Sequence, residues 1–275
     1  LIAIVAIAIR RKQALLGIGL LVALFYMKPL RIWISLDLSI CWTIVLLASL
    51  VLLVKYDSIN KRKWQEELFL LIGIVTVYMD FLTYPIVTLG IPLSIYLVLN
   101  QEEAMSLWKR AKQAFWMCVC WAIGYGGMWA SKWIVAEVTC QTGTIRNAFW
   151  SIITRAEPLD GYTSFLPGVV RTLDALLSQY DSVLYGIGFV LILIGTVLSA
   201  VICFVKARNI NWGATVIGLV VVALLPFGWM VATQNHSAIH CWFTFRMFGV
   251  SIMALWCIMV CSVRNIKGKA RENGA

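Results

Sequence analysis

The chain has 275 residues, of which 61% are hydrophobic and only 13% are charged. Soluble globular domains are about 45–50% apolar and about 25% charged, so this composition excludes an ordinary soluble domain and makes lipid the surrounding solvent. The net charge of +10 would indicate a nucleic-acid partner in a soluble protein, and the positions of the charges decide whether it does so here.

The apolar runs predict an all-α protein. The first run, Leu1 to Ile9, is too short to cross about 30 Å of hydrocarbon, so we expect the end of a truncated helix and a chain that lacks the N-terminal part of a longer protein. The run 68–99 is interrupted by Asp80 and two prolines, which predicts two segments folded back at residues 80–85. Further spans are predicted at 14–27, 38–54, 114–135, 183–205, 213–231 and 242–263.

The resulting prediction is a polytopic transmembrane helical bundle with about eight full spans plus a partial first one, forming a single transmembrane domain over 1–275. Sixteen of the 23 Lys and Arg residues then fall on one side of the spans. The positive-inside rule makes that side cytoplasmic and places the C-terminus there, in a multi-pass plasma-membrane protein. The remaining basic and acidic residues balance, so the net positive charge lies on the predicted cytoplasmic side and reflects the orientation of the chain in the membrane. We therefore expect no nucleic-acid partner.

One long connection, 136–182, lies on the predicted outer side. It contains two amphipathic stretches, 144–155 and 166–180, which predict helices lying in the plane of the membrane interface. Arg146 and Arg155 flank the first stretch. They could meet a phosphate there, or they could be ordinary solvated charges.

Asp80 stands at the predicted chain break. An ionisable group at membrane depth costs roughly 2.5–3.5 kcal/mol, so it normally has a partner or a task. An outward-facing carboxylate suits acceptor deprotonation, substrate hydrogen bonding or metal binding. The alternative is a helix cap or an ion-pair partner that holds the break, and Lys132 is a plausible partner.

Lys132 follows a run of glycines (Gly124, Gly126 and Gly127) that permits close helix approach. It is predicted near the outer end of its span. Its ammonium could hold a phosphate at the membrane surface, or it could be a snorkelling lysine between interfacial tryptophans.

A third polar group spans Asn235 to Arg246. His236 and His240 are four residues apart, so a helix would place both on one face. No third ligand is near, so we expect hydrogen bonding to a polar substrate or phosphate, or proton transfer, in preference to zinc binding. Arg246 could bind an anionic lipid headgroup bidentately, or it could pair with a carboxylate on a neighbouring helix.

Three motifs between positions 79 and 246 together resemble uncharacterised polytopic membrane proteins of Gram-positive bacteria, which in turn look like glycosyltransferases of the GT-C superfamily. The motifs are Met79-Asp80-Phe81-Leu82-Thr83-Tyr84-Pro85 with Thr88-Leu89-Gly90-Ile91-Pro92-Leu93, Gly124-Tyr125 with Trp129 and Lys132-Trp133, and Asn235-His236-Ser237 with His240 and Phe243-Thr244-Phe245-Arg246.

The resemblance implies an enzyme of the bacterial plasma membrane. It would take a sugar from a polyprenyl-phosphate donor on the outer leaflet and transfer it to a cell-envelope glycan, glycolipid or protein. By the same resemblance Asp80 and His236 act on the sugar or acceptor as catalytic residues. The residues expected to bind substrate or lipid phosphate are Lys132, His240, Arg246, Asn235, Tyr84, Arg146 and Arg155.

Members of that superfamily usually carry an essential acidic residue in the first outer loop, often with a divalent metal. That loop would precede Leu1, so we expect any Mg²⁺ or Mn²⁺ site in the longer protein and assign no metal ligand to this chain.

A transporter or flippase of lipid-linked saccharides is the main alternative, and it predicts inverted repeats and ionisable residues near the midplane. The polar groups cluster instead at one end of the spans, which favours the enzyme. A polymerase or ligase of lipid-linked oligosaccharides would share its chemistry.

Overall fold

A computed structural model of the chain describes residues 1–80, 82–101, 106–140, 143–157, 165–179, 187–206 and 210–272. The described residues contain no strand, which confirms the all-α prediction. The helices are α1 (Ile2–Arg10), α2 (Ala14–Tyr26), α3 (Pro29–Ile34), α4 (Leu36–Arg62), α5 (Gln65–Met79), α6 (Ile86–Leu99), α7 (Leu107–Cys140), α8 (Thr144–Ala156), α9 (Phe165–Leu177), α10 (Ile187–Lys206), α11 (Ile210–Ala232), α12 (Gln234–Ile239), α13 (Cys241–Thr244), a 3-10 helix (Phe245–Phe248) and α14 (Gly249–Glu272).

Three helical stretches are long and apolar enough to cross a membrane, namely Leu36–Arg62, Gly213–Ala232 and Cys241–Ser262. Shorter apolar helices cover Ala14–Tyr26, Ile86–Leu99 and Val190–Ile202. These lengths support a helical membrane protein, but they do not confirm the expected number of about eight full spans. The predicted interruption of 68–99 is confirmed, because α5 ends at Met79 and α6 begins at Ile86.

We distinguish two ends of the bundle, the Asp80 end and the Arg110 end, each named after a residue buried there. At the Arg110 end, Arg11 before α2 forms a salt bridge of 3.3 Å with Asp57 near the end of α4. At the Asp80 end, Arg246 hydrogen-bonds the carbonyl oxygen of Met27 just after α2. The basic segments 10–12 and 55–63 therefore meet at the end opposite to Asp80.

Helix α6 is the central helix of the bundle. Every residue from 86 to 98 is buried, so the helix is apolar on all faces, and α4, α11 and α14 pack around it. Near its start, the Thr88 hydroxyl forms a hydrogen bond of 2.8 Å with the Thr76 hydroxyl of α5. The same hydroxyl accepts a bond of 3.1 Å from the Trp121 indole of α7. These hydrogen bonds therefore hold the start of α6 against α5 and α7 at the Asp80 end.

Helices α5 and α7 approach each other more closely than a side chain permits. A Cβ atom added to Gly73 would lie 2.2 Å from the carbonyl oxygen of Trp121, and one added to Gly124 would lie 2.1 Å from the carbonyl oxygen of Leu70. Gly126 and Gly127 face open space, with no atom within 4 Å of an added Cβ. The predicted close approach is therefore confirmed for one of the three glycines of α7, and its partner is Gly73.

Arg110 belongs to a buried polar network, although its basic segment reads as a cytoplasmic loop in the sequence. Only 1% of the residue is exposed. Its guanidinium donates to the carbonyl oxygen of Asn100 (2.8 Å) and to the side-chain oxygen of Gln113 (3.0 Å). Tyr56 of α4 donates to the Asn100 side chain (2.9 Å), so the network connects α4, the end of α6 and the start of α7.

The two amphipathic stretches of the long connection are helices, α8 and α9, as predicted. Helix α9 packs on α12 and buries Gly168, Thr172 and Leu176, and the Thr172 hydroxyl donates to the carbonyl oxygen of Gln234. Helix α8 buries no residue. Within the connection, residues 141–142, 158–164 and 180–182 lie outside the described part of the chain.

We expect Gly73→Ala to destabilise the protein by about 1–3 kcal/mol, because the new methyl group would force the backbones of α5 and α7 apart. The measurement is thermal unfolding of the detergent-solubilised protein. Gly126→Ala is the matched control and should be neutral or stabilising by up to about 1 kcal/mol, since it gains helix propensity without a steric clash. Equal destabilisation by both changes would contradict the assigned contact.

Replacement of Arg110 tests the buried network. Arg110→Met should cost about 1–3 kcal/mol for each buried acceptor that loses its hydrogen bond, whereas Lys109→Met at the adjacent exposed position should change stability little. Denaturant or thermal unfolding of both variants measures the difference. A destabilisation by Arg110→Met no larger than that by Lys109→Met would show that Arg110 behaves as a surface charge.

Candidate functional site

The chain break between α5 and α6 is held by Asp80. Its carboxylate accepts hydrogen bonds from the Thr83 backbone N–H (3.0 Å) and hydroxyl (2.5 Å), a local turn that short polar side chains favour. Leu82 has a φ of 65°, a left-handed conformation that costs energy for a non-glycine residue. Pro85 then provides the N-cap of α6. The hydrogen-bonded turn at Asp80 therefore follows the end of α5, and Pro85 precedes the start of α6.

Asp80 is almost enclosed, with 7% of its surface exposed. Burial raises the pKa of the Asp80 carboxyl, and the hydrogen bonds from Thr83 oppose that increase in part. The Cys41 thiol of α4 lies 3.6 Å from the Thr83 hydroxyl and also hydrogen-bonds the Asp80 carboxylate. A carboxylate with a raised pKa is a better proton acceptor than a solvated one, so the site suits general-base chemistry.

Tyr84 is also buried in the break, with 1% exposed. Its hydroxyl donates to the carbonyl oxygen of Leu38, which ties the break to the start of α4. The guanidinium carbon of Arg246 lies 6.0 Å from the centre of the Tyr84 ring. Tyr84 therefore contacts the start of α4 through its hydroxyl and lies beside Arg246 through its ring.

Arg246 carries a positive charge into the interior of the Asp80 end. Only 2% of it is exposed. Its Nε donates to the carbonyl oxygen of Met27 (2.9 Å) and its Nη1 to that of Trp242 (3.0 Å). Among the described residues it has no carboxylate partner, and its Nη2 makes no hydrogen bond. A buried charge without a counter-ion is costly, which makes this nitrogen a candidate anion contact.

Two cations that the sequence analysis did not select lie beside Arg246. Lys28 precedes α3 with a φ of 59°, and its Nζ lies 5.2 Å from the centre of the Phe245 ring, which also contacts Arg246. Partial burial lowers the pKa of Lys28, and the positive charges of Arg246 and Arg31 lower it further. The signal in the sequence was the basic pair Lys28 and Arg31 in the short polar break after the first span.

The two histidines are adjacent, as their spacing predicts. Their ring centres are 4.8 Å apart, and His240 stacks on Phe243. His236 Nε2 lies 2.8 Å from the carbonyl oxygen of Leu82. Because a carbonyl only accepts, this nitrogen carries the proton and donates it, which joins α12 to the break. Burial lowers the pKa of His236 to about 4, so the ring is neutral at pH 7 and Nδ1 keeps a lone pair.

The remaining predicted residues are divided. Lys132 is exposed and donates to the carbonyl oxygens of Val77 (2.8 Å) and Tyr78 (3.1 Å), so it caps α5 and forms no described salt bridge with Asp80. Asn235 donates to the carbonyl oxygen of Thr154 (3.0 Å), which holds α12 against α8.

The two arginines of α8 occupy different environments. Arg155 is half-buried and close enough to His236 to affect it electrostatically. Arg146 is exposed and forms no hydrogen bond or salt bridge with a described residue. The structure therefore brings the predicted residues together at the Asp80 end, with Arg146 as the exception.

No group of three or more His, Cys, Asp or Glu side chains in the described ranges is arranged to hold a metal ion. In comparisons with protein-family models, curated proteins and solved structures, the chain matches none of them. The functional argument therefore depends on the geometry of this site.

The neutral state of His236 predicts a pH dependence. Its pKa in the folded protein, about 4, lies below the ordinary value of 6.5, so unfolding takes up a proton between these values. The stabilisation is complete above pH 6.5 and is lost as the pH falls toward 4. His236→Gln should reduce the loss of thermal stability over this range. An unchanged pH profile in the variant would contradict the assignment.

Proposed function

We propose that the protein is a membrane glycosyltransferase that transfers a sugar from a polyprenyl-phosphate donor to a cell-envelope acceptor on the outer face. The observation that carries the proposal is the concentration of a buried carboxylate, a neutral histidine and an unneutralised arginine at one end of a helical membrane protein. These are the groups that displacement of an anionic leaving group requires.

Arg246 supports the donor half of the reaction. Its charge has no described carboxylate partner, and Lys28 and Arg31 add to the positive potential beside it. In the transfer the bond between the sugar and the phosphate oxygen breaks, and negative charge develops on the departing lipid phosphate. Cations already fixed in place stabilise that charge without reorganisation. Nη2 of Arg246 is the contact we assign to the phosphate, with Lys132 and His240 farther along the same end.

Asp80 supports the acceptor half. Its raised pKa suits it to take the proton from the acceptor hydroxyl as the new glycosidic bond forms. His236 is bonded to Leu82 within the same break, so its neutral ring is positioned to hydrogen-bond the sugar or the acceptor. Tyr84, Asn235 and Arg155 form the surroundings of these groups. If the reaction uses Mg²⁺ or Mn²⁺, no group of three His, Cys, Asp or Glu side chains in the described part of the chain is arranged to hold the ion.

The membrane arrangement forms part of the proposal. We infer about eight full spans, an outward-facing Asp80 end and a cytoplasmic C-terminus in a bacterial plasma membrane. The salt bridge between Arg11 and Asp57 supports this arrangement, because it collects basic segments at the end opposite to the site. An outward site would meet lipid-linked sugars and the acceptor on the same leaflet.

The test is sugar transfer from a radiolabelled polyprenyl-phosphate donor by the full-length protein in proteoliposomes. We expect Arg246→Ala and Asp80→Asn each to reduce transfer about 100-fold or more, and the exposed Arg146→Ala to leave it nearly unchanged. Thermal unfolding of each variant verifies that it is folded.

Transfer unaffected by both site substitutions would overturn the proposal. So would movement of the intact lipid-linked sugar across the vesicle membrane without transfer, because that outcome identifies a flippase.

A further inference from the structure

Tyr125 of α7 is a buried tyrosine whose hydroxyl group the fold does not use. Four described tyrosines are buried, and Tyr26, Tyr84 and Tyr96 each form a hydrogen bond through the hydroxyl. Tyr125 is 6% exposed, and its hydroxyl forms no hydrogen bond with a described residue, although a buried hydroxyl without a partner costs free energy. The unpaired atoms that protein encloses completely belong to other residues, so this oxygen retains accessible surface. A ligand can therefore reach it and supply the missing bond.

The surroundings of Tyr125 place it at the candidate site. Tyr125 lies within electrostatic range of the Asp80 carboxylate and of Arg155 on α8. Arg155 in turn lies within electrostatic range of His236 on α12. The unused hydroxyl therefore belongs to the same region as the carboxylate and the histidine to which we assign the chemistry.

Two indole rings extend the surface around Tyr125. The ring centre of Trp129, one turn farther along α7, lies 5.6 Å from that of Tyr125. The ring centre of Trp229 on α11 lies 6.1 Å away, with the two ring planes at 90°. Both tryptophans are half-buried, and neither indole N–H donates to a described residue. We call Tyr125, Trp129 and Trp229 the aromatic wall.

The chemistry of the aromatic wall suits a sugar ring. The faces of aromatic rings carry partial negative charge and attract C–H groups, which line the faces of a pyranose. The phenol and indole groups donate hydrogen bonds to hydroxyls, and with an ordinary pKa of about 10 the phenol keeps its proton at pH 7. Asp80 and Arg155, which both act on Tyr125, have opposite charges, so this position favours neither an anion nor a cation. A neutral ligand rich in hydroxyl groups matches all of these features.

We propose that the aromatic wall binds the sugar ring of the donor, with the Tyr125 hydroxyl hydrogen-bonded to a sugar hydroxyl and Trp229 against the ring face. This inference rests on the proposed function and adds residues that recognise the sugar. The lipid phosphate stays assigned to Arg246, so the sugar and the phosphate contact different residues of one site.

Binding of two matched lipids to the full-length protein in detergent tests the aromatic wall. One lipid is decaprenyl phosphate linked to glucose, galactose, mannose or N-acetylglucosamine. The other is decaprenyl methyl phosphate, which has the same chain and the same charge but no sugar. No acceptor is present, so the lipids are not consumed. The ratio of the two dissociation constants, which we call the sugar preference, isolates the contribution of the sugar.

Tyr125→Phe is the sharpest variant, because it removes only the hydroxyl and keeps the ring contacts. We expect it to reduce the sugar preference for the best-bound sugar about 2- to 10-fold, as the loss of one hydrogen bond does. Binding of decaprenyl methyl phosphate should not change. Thermal stability should be unchanged or higher, since the hydroxyl has no described protein partner. Tyr78→Phe is the matched control, because Tyr78 is exposed on α5 at the same end.

Trp229→Leu tests the ring face, because it keeps an apolar side chain and removes the indole. We expect it to reduce the sugar preference about 2- to 10-fold as well. Trp108→Leu, at an exposed position of α7 near the Arg110 end, is its control and should leave the sugar preference unchanged. Thermal unfolding of each variant verifies that it is folded.

An unchanged sugar preference in Tyr125→Phe would overturn the inference. Equal weakening of both lipids by Tyr125→Phe and Trp229→Leu would also overturn it, because these residues would then serve as interfacial anchors. So would the absence of any sugar preference in the unmodified protein. The transfer assay with Arg246→Ala and Asp80→Asn tests the proposed function separately. Transfer that depends on those residues, together with an unchanged sugar preference in Tyr125→Phe, would leave the proposed function standing without this inference.

Discussion

The two hydrogen bonds from Thr83 to the Asp80 carboxylate determine the arrangement of the whole Asp80 end. They satisfy the Asp80 carboxylate and the N–H and hydroxyl of Thr83, where the chain passes from α5 to α6 in an apolar surrounding. The same turn leaves the Leu82 carbonyl available to His236 and directs Tyr84 toward α4. A residue that stabilises the turn and also provides the reactive carboxylate couples the fold of this region to its chemistry.

Charge burial is distributed differently at the two ends of the bundle. At one end, Arg110 donates to backbone and side-chain oxygens that come from several helices, and it connects them. At the other end, Arg246 of the 3-10 helix donates through Nε to Met27 just after α2 and through Nη1 to Trp242 of α13. Both arginines bond through two nitrogens, and Arg246 differs in its surroundings, because the Tyr84 ring and Lys28 lie close to it. The same residue type in similar burial thus stands in two different environments.

Features that depend on neighbouring residues could be predicted from the sequence. Asp80 and Pro85 within an apolar run indicated the break, and the spacing of His236 and His240 indicated their common face. Features that depend on tertiary contact could not be predicted. The burial of Arg110 arises where three separate segments meet, and Lys28 approaches Arg246 across 218 positions of sequence. For Lys132, the position near the end of its span could be predicted from the sequence. Its hydrogen bonds to the carbonyl oxygens of Val77 and Tyr78 could not.

The glycine contact between α5 and α7 also constrains how the protein is assembled. Gly73 and Gly124 are 51 residues apart, and α6, which is buried on all sides in the finished bundle, is synthesised between them. The small-residue surface of α5 therefore emerges from the ribosome well before the helix that covers it, and the exposed faces of α6 emerge with it. During this interval lipid or an insertion factor must occupy the surface. Biogenesis of the protein should be most vulnerable when synthesis has passed α6 but has not completed α7.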